Sequence, residues 1–315
     1  MSVPVQRRRS PDTDQLHSSP PGGWRRLFFA DDRAIRSGWR ALLFIGVYLA
    51  LSAAFELIPA RLLQFETQGP LPPRQVIVQE SCDLFAILSA TWIMARLERQ
   101  SILSFGYRER HLFRRLTGGA FFGIVSLTVL VSMLWRSHLL VFSGLSTTGI
   151  VAGGFAVEWA FAALLVGILE ESLLRGYLQY TLSRALGFWP AALLLSIAFA
   201  LWHISNGGES ITGLIVVGVG GLVFCLSLWY TRSLWWAIGF HAGWDWGQSY
   251  LYGTPDSGLL AKGHLLNSHP NGLPFWSGGP TGPEGSPLML PFLSAIAFVM
   301  WTWWGPKREA VKNEA

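Results

Sequence analysis

Three short groups of residues that could carry out chemistry lie inside long apolar stretches of this sequence. In chain order they are Glu170, Glu171 and Arg175, then Phe199 and His203, then His241 and Asp245. Carboxylates and imidazoles exchange protons near neutral pH, so the set suits general acid–base chemistry on a water molecule. Because ionisable side chains are costly in a hydrocarbon environment, such residues usually line a cavity and serve a function.

Helical spacing predicts a different role for each of the two glutamates. Glu171 and Arg175 are four residues apart with the acid first, which predicts a structural ion pair on one helix face. Glu170 is turned about 100° away on the helix and can face a cavity, where it would act as a general base. His241 and Asp245 are also four apart, so the carboxylate can orient the imidazole.

The spacing along the chain also predicts that the first two groups converge. Gly187 is a natural turn, with Glu170 17 residues before it and His203 16 residues after it. In an antiparallel hairpin both would lie roughly 25 Å from the turn. Phe199 shares a helix face with His203, and we expect its role to be packing. His241 lies nine residues after Arg232, or about 14 Å along its helix from the turn at that residue. It reaches the same height as Glu170 and His203 only if the hairpin around Gly187 projects further into the cytosol.

Composition indicates a membrane protein. Of the 315 residues, 51% are hydrophobic and only 14% are charged, and the mean hydropathy is +0.36. Soluble chains carry about 25% charged residues. Stretches of about 20 apolar residues can each cross a bilayer as a helix. The predicted fold is an all-α polytopic bundle of about eight transmembrane helices, at 41–60, 76–95, 116–135, 155–182, 189–205, 211–230, 234–252 and 288–304.

The distribution of charge predicts the organisation around these spans. Lys and Arg residues are concentrated before the first span, in the 96–115 connection and in the tail, so we expect both termini in the cytosol, with the protein in the plasma membrane. Because these residues are separated by apolar runs, the net charge of +5 does not indicate a nucleic-acid partner. The predicted units are a disordered arm (1–35), N-terminal transmembrane helices (36–145), a core (146–252), an exterior Gly/Pro-rich loop (253–287), and the last helix with its tail (288–315).

A metal site is a separate question. Glu170, His203 and His241 could together bind zinc and leave one position for water. Ligation would occupy the proposed base, however, and no pair of histidines four residues apart is present to clasp the ion. We therefore favour a metal-independent reaction and assign no cofactor. A bound zinc ion is the alternative. His264 and His269 lie in the loop, where we expect no metal site, and both cysteines lie in apolar stretches without a disulfide pattern.

The order Glu-Glu-x-x-x-Arg, Phe-x-x-x-His, His-x-x-x-Asp on successive membrane helices resembles the CPBP, or Abi, family of intramembrane proteases. This family includes the type II CAAX prenyl proteases, and the resemblance covers roughly residues 150–250. It implies that Glu170, His203, His241 and Asp245 line the active site, with Glu171 and Arg175 supporting it. The prenyl proteases commonly have Asn at the position of Asp245, so a role that needs a neutral amide is in doubt.

The sequence therefore favours an intramembrane endopeptidase that acts on membrane-embedded or lipidated peptides, CAAX-type substrates included, with the bilayer as its other partner. Two alternatives stay open: a catalytically silent membrane scaffold or immunity-type protein, and a proton-coupled transporter. A transporter predicts ionisable residues strung along a path through the bilayer, whereas an enzyme predicts that they cluster.

Overall fold

The computed structural model describes residues 36–62, 65–66 and 69–313, and it confirms the predicted all-α membrane bundle. The arm predicted at 1–35 lies outside the described residues. The helices are α1 (Ser37–Leu62), α2 (Pro73–Leu97), α3 (Leu112–Arg136), α4 (Gly149–Glu171), α5 (Gln179–Leu186), α6 (Phe188–Trp202), α7 (Ile211–Thr231), α8 (Trp235–Trp246), α9 (Pro274–Ser277) and α10 (Met289–Asn313).

Six helices in the described part of the chain are long and apolar enough to cross a membrane. They are Ser37–Leu57, Pro73–Leu97, Leu112–Arg136, Gly149–Leu186, Phe188–Ser205 and Ile211–Thr231. The two other predicted spans correspond to α8, which is only 12 residues long, and to α10, whose sequence becomes polar at its C-terminal end. Trp304 near the end of α10 lies 5.8 Å from the guanidinium of Arg115 at the start of α3, so α10 runs the length of the bundle.

One predicted span is a long helix with a kink. Helix α4 continues through a π-helical segment, Ser172–Leu178, into α5. All seven residues of this segment are buried, and Gly176 has a non-helical ψ of −118°. A π-helical turn shifts the register of the side chains that follow it and commonly marks a functional site. The span thus carries the two glutamates at the end of one helix and Arg175 in the kink.

Helix α8 lies close to α3 because glycines remove the side chains between them. A Cβ atom at Gly123 would lie 2.2 Å from the carbonyl oxygen of Phe240, and one at Gly243 would lie 2.2 Å from that of Ala120. Small residues allow helix backbones to approach in this way in membranes, where dispersion contacts drive helix association. This packing holds α8, which bears His241, against the bundle.

The segment at 253–287 is folded against the helices. Its strand β2 (Leu266–Pro270) pairs antiparallel with β1 (Leu140–Leu145), which follows α3. Thr254, Thr281 and Ser286 in this segment are completely buried. The predicted Gly/Pro-rich loop is therefore a packed cap, which the sequence did not indicate.

The basic connections between helices lie at the opposite end of the bundle. Arg40 at the start of α1 and Arg184 in α5 both contact Glu98, at 3.3 Å and 3.6 Å. Trp235 at the start of α8 donates a hydrogen bond to the carbonyl of Tyr107 in the α2–α3 connection. The connections that were predicted to share one side of the membrane thus meet at one end of the molecule.

Candidate active site

The end of α4 holds a carboxylate and a guanidinium in the protein interior. Glu171 is 0% exposed and Arg175 is 2% exposed. Nη1 of Arg175 donates a hydrogen bond of 3.1 Å to Oε1 of Glu171. Neither charge could be buried alone without a large desolvation penalty, so each makes the burial of the other possible.

His241 on α8 meets three carboxylates. Its Nδ1 lies 3.3 Å from Oε1 of Glu171, and its Nε2 lies 3.5 Å from Oε2 of Glu170 and 3.6 Å from Oδ2 of Asp245. We predicted that Asp245 orients the imidazole. In the structure Nδ1 donates its hydrogen bond to Glu171, while Asp245 approaches Nε2, the nitrogen that faces Glu170.

Gly167 explains how α4 and α8 bring these groups together. A Cβ atom at this position would lie 3.0 Å from the carbonyl oxygen of Ile238 and 3.5 Å from Cβ of His241. The two backbones therefore approach so closely that a side chain at this position would be crowded, one turn before Glu170. This close approach lets a short imidazole reach both glutamates.

His203 follows the end of α6 and has a defined tautomer when it is neutral. Its Nδ1 lies 2.9 Å from the carbonyl oxygen of Phe199. Because a carbonyl only accepts hydrogen bonds, Nδ1 carries the proton and Nε2 is left as the acceptor. The Phe199 ring packs edge-on against this imidazole, with centroids 4.6 Å apart.

Two phenylalanines enclose the guanidinium of Arg175. Its central carbon lies 4.7 Å from the ring centroid of Phe199 and 5.5 Å from that of Phe224. Phe224 also stacks on His241, with centroids 5.2 Å apart and planes 18° from parallel. Cation–π contacts of this kind stabilise a buried positive charge. The sequence analysis missed Phe224 because one more phenylalanine in an apolar span gives no signal.

These residues border a cavity of about 370 Å³. Its polar lining consists mainly of imidazoles and carboxyl groups, from His203, His241, Glu80, Glu170, Asp245, Asp256 and Glu284. No lysine or arginine of the described chain lines it. The remaining walls are mainly apolar and include Trp159, Val166, Phe199, Val217, Phe240, Trp244 and Leu260. The cavity can therefore hold an apolar chain next to a set of proton-transfer groups.

The cap closes one side of this cavity with two acidic residues. Glu284 accepts hydrogen bonds from Trp244 (2.8 Å), Gln248 (2.6 Å) and Ser257 (2.9 Å). Asp256 accepts from the same Gln248 amide at 2.8 Å and from Ser249 at 3.1 Å. Burial, with the nearby carboxylates of Asp245 and Glu284, raises the pKa of Asp256 well above its usual range.

Three of these acidic residues were not among the predicted site residues. Glu80 lies in α2, outside the three motifs, yet it lines the cavity and its Oε2 is buried without a hydrogen-bond partner in the described residues. Asp256 and Glu284 belong to a segment without helical periodicity. Only the folded cap brings them to the cavity, so no sequence pattern pointed to them.

The residues present do not form a metal centre. Across the described residues, no group of three or more His, Cys, Asp or Glu side chains is arranged to hold a metal ion. The set considered for zinc, Glu170, His203 and His241, is thus not assembled as ligands. His264 donates from Nδ1 to the carbonyl of Ala261, and His269 lies in β2 opposite Val141.

Residues 152–247 match the family model described as type II CAAX prenyl endopeptidase Rce1-like. The predicted family is confirmed. The matched residues make up slightly less than a third of the chain and include all seven of the predicted site residues. No curated protein matches the chain. Together with the six apolar helices, the Rce1-like match supports an integral membrane protein whose residues 152–247 resemble a protease family.

Proposed function

We propose that this protein is an intramembrane endopeptidase in which Glu170 activates the attacking water. The observation that carries the proposal is the 3.5 Å approach of Oε2 of Glu170 to Nε2 of His241, inside a cavity that His203 also lines. Oε2 of Glu170 has no hydrogen-bond partner among the described residues. It is therefore free to accept one from a water molecule.

In the first step the water attacks the carbonyl carbon of the substrate. Glu170 takes one proton of the water as the new C–O bond forms, and Nε2 of neutral His203 accepts a hydrogen bond that holds the water. The π electrons of the carbonyl move onto its oxygen. His241 is surrounded by carboxylates, which stabilise its doubly protonated form, so its Nε2–H can donate to this oxyanion.

In the second step the tetrahedral intermediate collapses. The proton held by Glu170 passes to the amide nitrogen, the C–N bond breaks, and an amine and a carboxylic acid leave the site. Glu171 and Arg175 take no part in these proton transfers. Glu171 orients His241 through Nδ1, and Arg175 balances the charge of Glu171.

The cavity suits an extended apolar peptide. Its aromatic and aliphatic walls can bind hydrophobic side chains or a lipid group, which is the chemistry of membrane-embedded and lipidated substrates such as CAAX-type peptides. We assign the protease core to residues 146–252. The cap at 253–287 contributes cavity walls, so we expect it to be required for substrate binding.

The test is substrate trapping with Glu170→Gln in purified full-length protein. This variant removes the base with little change in volume, so we expect it to fold, to lose turnover and to retain bound peptides for identification by mass spectrometry. Wild-type protein should keep its activity after exhaustive chelation. Near-wild-type turnover by Glu170→Gln would exclude Glu170 as the base, and activity that zinc restores after chelation would reverse the metal-independent mechanism.

A further inference from the structure

A second cavity lies at the end of the bundle remote from the cap. It has a volume of about 410 Å³ and is bordered by α5, the end of α7 and the turn before α3. It shares no lining residue with the first cavity. Arg175, Arg184 and Arg232 line it, and no acidic residue of the described chain does. The two cavities therefore have opposite electrostatic character.

Arg175 lies at the inner end of this cavity, and its guanidinium is held between the rings of Phe199 and Phe224. Its Nη1 is bound to Glu171, but Nε and Nη2 are buried without hydrogen-bond partners in the described part of the chain. Buried donors left unpaired cost about 1–3 kcal/mol each. Phosphate oxygens match the planar guanidinium of arginine especially well, so a cavity lined by three arginines suits a phosphate-bearing ligand.

Arg184 and Arg232 hold their charges near the mouth of the cavity. The Arg184 guanidinium lies 5.0 Å from the ring of Tyr180, and that of Arg232 lies 5.7 Å from the ring of Trp229. Arg184 also lies 3.6 Å from Glu98, which is too long for a direct hydrogen bond. Both arginines thus rest on aromatic faces at the edge of the cavity, and Arg184 is also paired with Glu98.

The aromatic residues around the mouth indicate its depth in the membrane. The rings of Phe188, Trp189 and Trp229 pack on one another with centroids 4.8–5.5 Å apart. Trp189 is 41% exposed on the outside of the bundle. Tryptophan is enriched at the boundary between hydrocarbon and headgroups, so the cavity opens at the level of the lipid phosphates.

We propose that this cavity binds the phosphate-bearing headgroup of an anionic phospholipid. The arginines would bind the phosphate, and the acyl chains would lie along the exposed apolar surface of α6 next to Trp189. This site is independent of the proposed hydrolysis and can be tested without a substrate.

The experiment measures the melting temperature of purified full-length protein titrated with short-chain phosphatidylglycerol, with phosphatidylcholine as the neutral lipid. We expect stabilisation by phosphatidylglycerol only. The double variant R184Q/R232Q should bind it at least about 25-fold more weakly, since each basic residue near a membrane surface contributes about 1 kcal/mol. Arg136→Gln is the matched control, since it removes an exposed arginine from the other end of α3 and should leave binding unchanged.

A second variant separates the cavity from general surface attraction. Leu228→Trp should fill the cavity without removing any charge and should also abolish stabilisation by phosphatidylglycerol. Unchanged binding in both variants would overturn the site. Equal stabilisation by inorganic phosphate would overturn the assignment to a lipid. The melting temperatures of all variants in phosphatidylcholine show whether each one is folded.

Discussion

Glu171 and His241 are 70 positions apart in the chain, yet Oε1 of Glu171 lies 3.3 Å from Nδ1 of His241. The same oxygen accepts the hydrogen bond from Arg175. A single buried carboxylate oxygen therefore joins the kinked helix to α8. This contact gives Glu171 two tasks: it balances the charge of an arginine and fixes the orientation of an imidazole.

The first prediction concerns this shared carboxylate. Glu171→Ala should destabilise the protein by about 3–5 kcal/mol, because Arg175 is left as an unpaired buried charge. We expect a lower yield and a lower melting temperature in detergent, together with loss of turnover. Glu158→Ala is the control, since Glu158 pairs with the largely exposed Arg74 and such pairs contribute about 0–1 kcal/mol. Equal melting temperatures for the two variants would contradict the assigned role.

The second prediction concerns Phe224. Phe224→Leu keeps an apolar side chain but removes the ring that stacks on His241 and faces Arg175. We expect kcat to fall about tenfold or more, because the imidazole loses one wall that holds it in place, and the melting temperature to fall only slightly. Phe240→Leu is the comparison, since this ring lies 5.7 Å from Phe224 and lines the same cavity. If both variants keep wild-type kcat, stacking on His241 has no catalytic role.

The third prediction tests the close packing of α3 and α8. Gly123→Ala would place a methyl group 2.2 Å from the Phe240 carbonyl oxygen, so the helices must separate. We expect a clear loss of thermal stability and of activity, since α8 carries His241. Gly118→Ala on the same helix has open space around it and should be neutral or slightly stabilising, because alanine favours helix by about 1 kcal/mol. The measurement is the melting temperature of both variants in the same detergent, and equal values would contradict the prediction.

The fourth prediction follows from the raised pKa of Asp256. A carboxyl group whose pKa is raised on folding binds its proton more tightly in the folded state, so stability falls as the pH rises from its unfolded pKa through its folded pKa. Asp256→Asn is permanently neutral and should raise the melting temperature at and above neutral pH while flattening its pH dependence. Glu284→Gln should instead lower the melting temperature, because three donors point at that carboxylate. A steeper pH dependence in Asp256→Asn would refute this reasoning.

The fifth prediction concerns the orientation of the chain in the membrane. In a variant without Cys82 and Cys225, a single cysteine in place of Leu273 should react with an impermeant reagent in intact cells, because Leu273 is 70% exposed and belongs to the cap. A cysteine in place of Arg110 should react only after permeabilisation. The opposite pattern would invert the topology predicted from the basic residues.

The sequence predicted the parts of this molecule that depend on local chemistry. Hydrophobic length predicted where the helices lie, because a span must satisfy its own backbone and bury its side chains in lipid. The contact of Glu171 with Arg175 follows from helical spacing alone. The resemblance of the motifs to a protease family rests on residue types in a fixed order, and the family match at 152–247 confirms it.

The rest depends on how the helices are placed relative to one another. The hydrophobic pattern does not reveal that α8 packs closely against α4 at Gly167. This close packing brings His241 into contact with both glutamates. The π-helical segment after Glu171 is likewise absent from the hydrophobic pattern, which continues without interruption through the kink. Phe224, Asp256 and Glu284 reach the site only through tertiary packing, so their roles are visible only in the folded protein.

The small sheet of β1 and β2 also constrains how many times the chain crosses the bilayer. Strands that are hydrogen-bonded to each other must lie on the same side, so the number of crossings between them is even. The α4–α5 helix, α6 and α7 supply three crossings between Leu145 and Leu266. The fourth must be α8 with its π-helical extension to Tyr252, although α8 is too short to be recognised as a span. The even number of crossings thus supports the span that hydrophobic length predicted at 234–252.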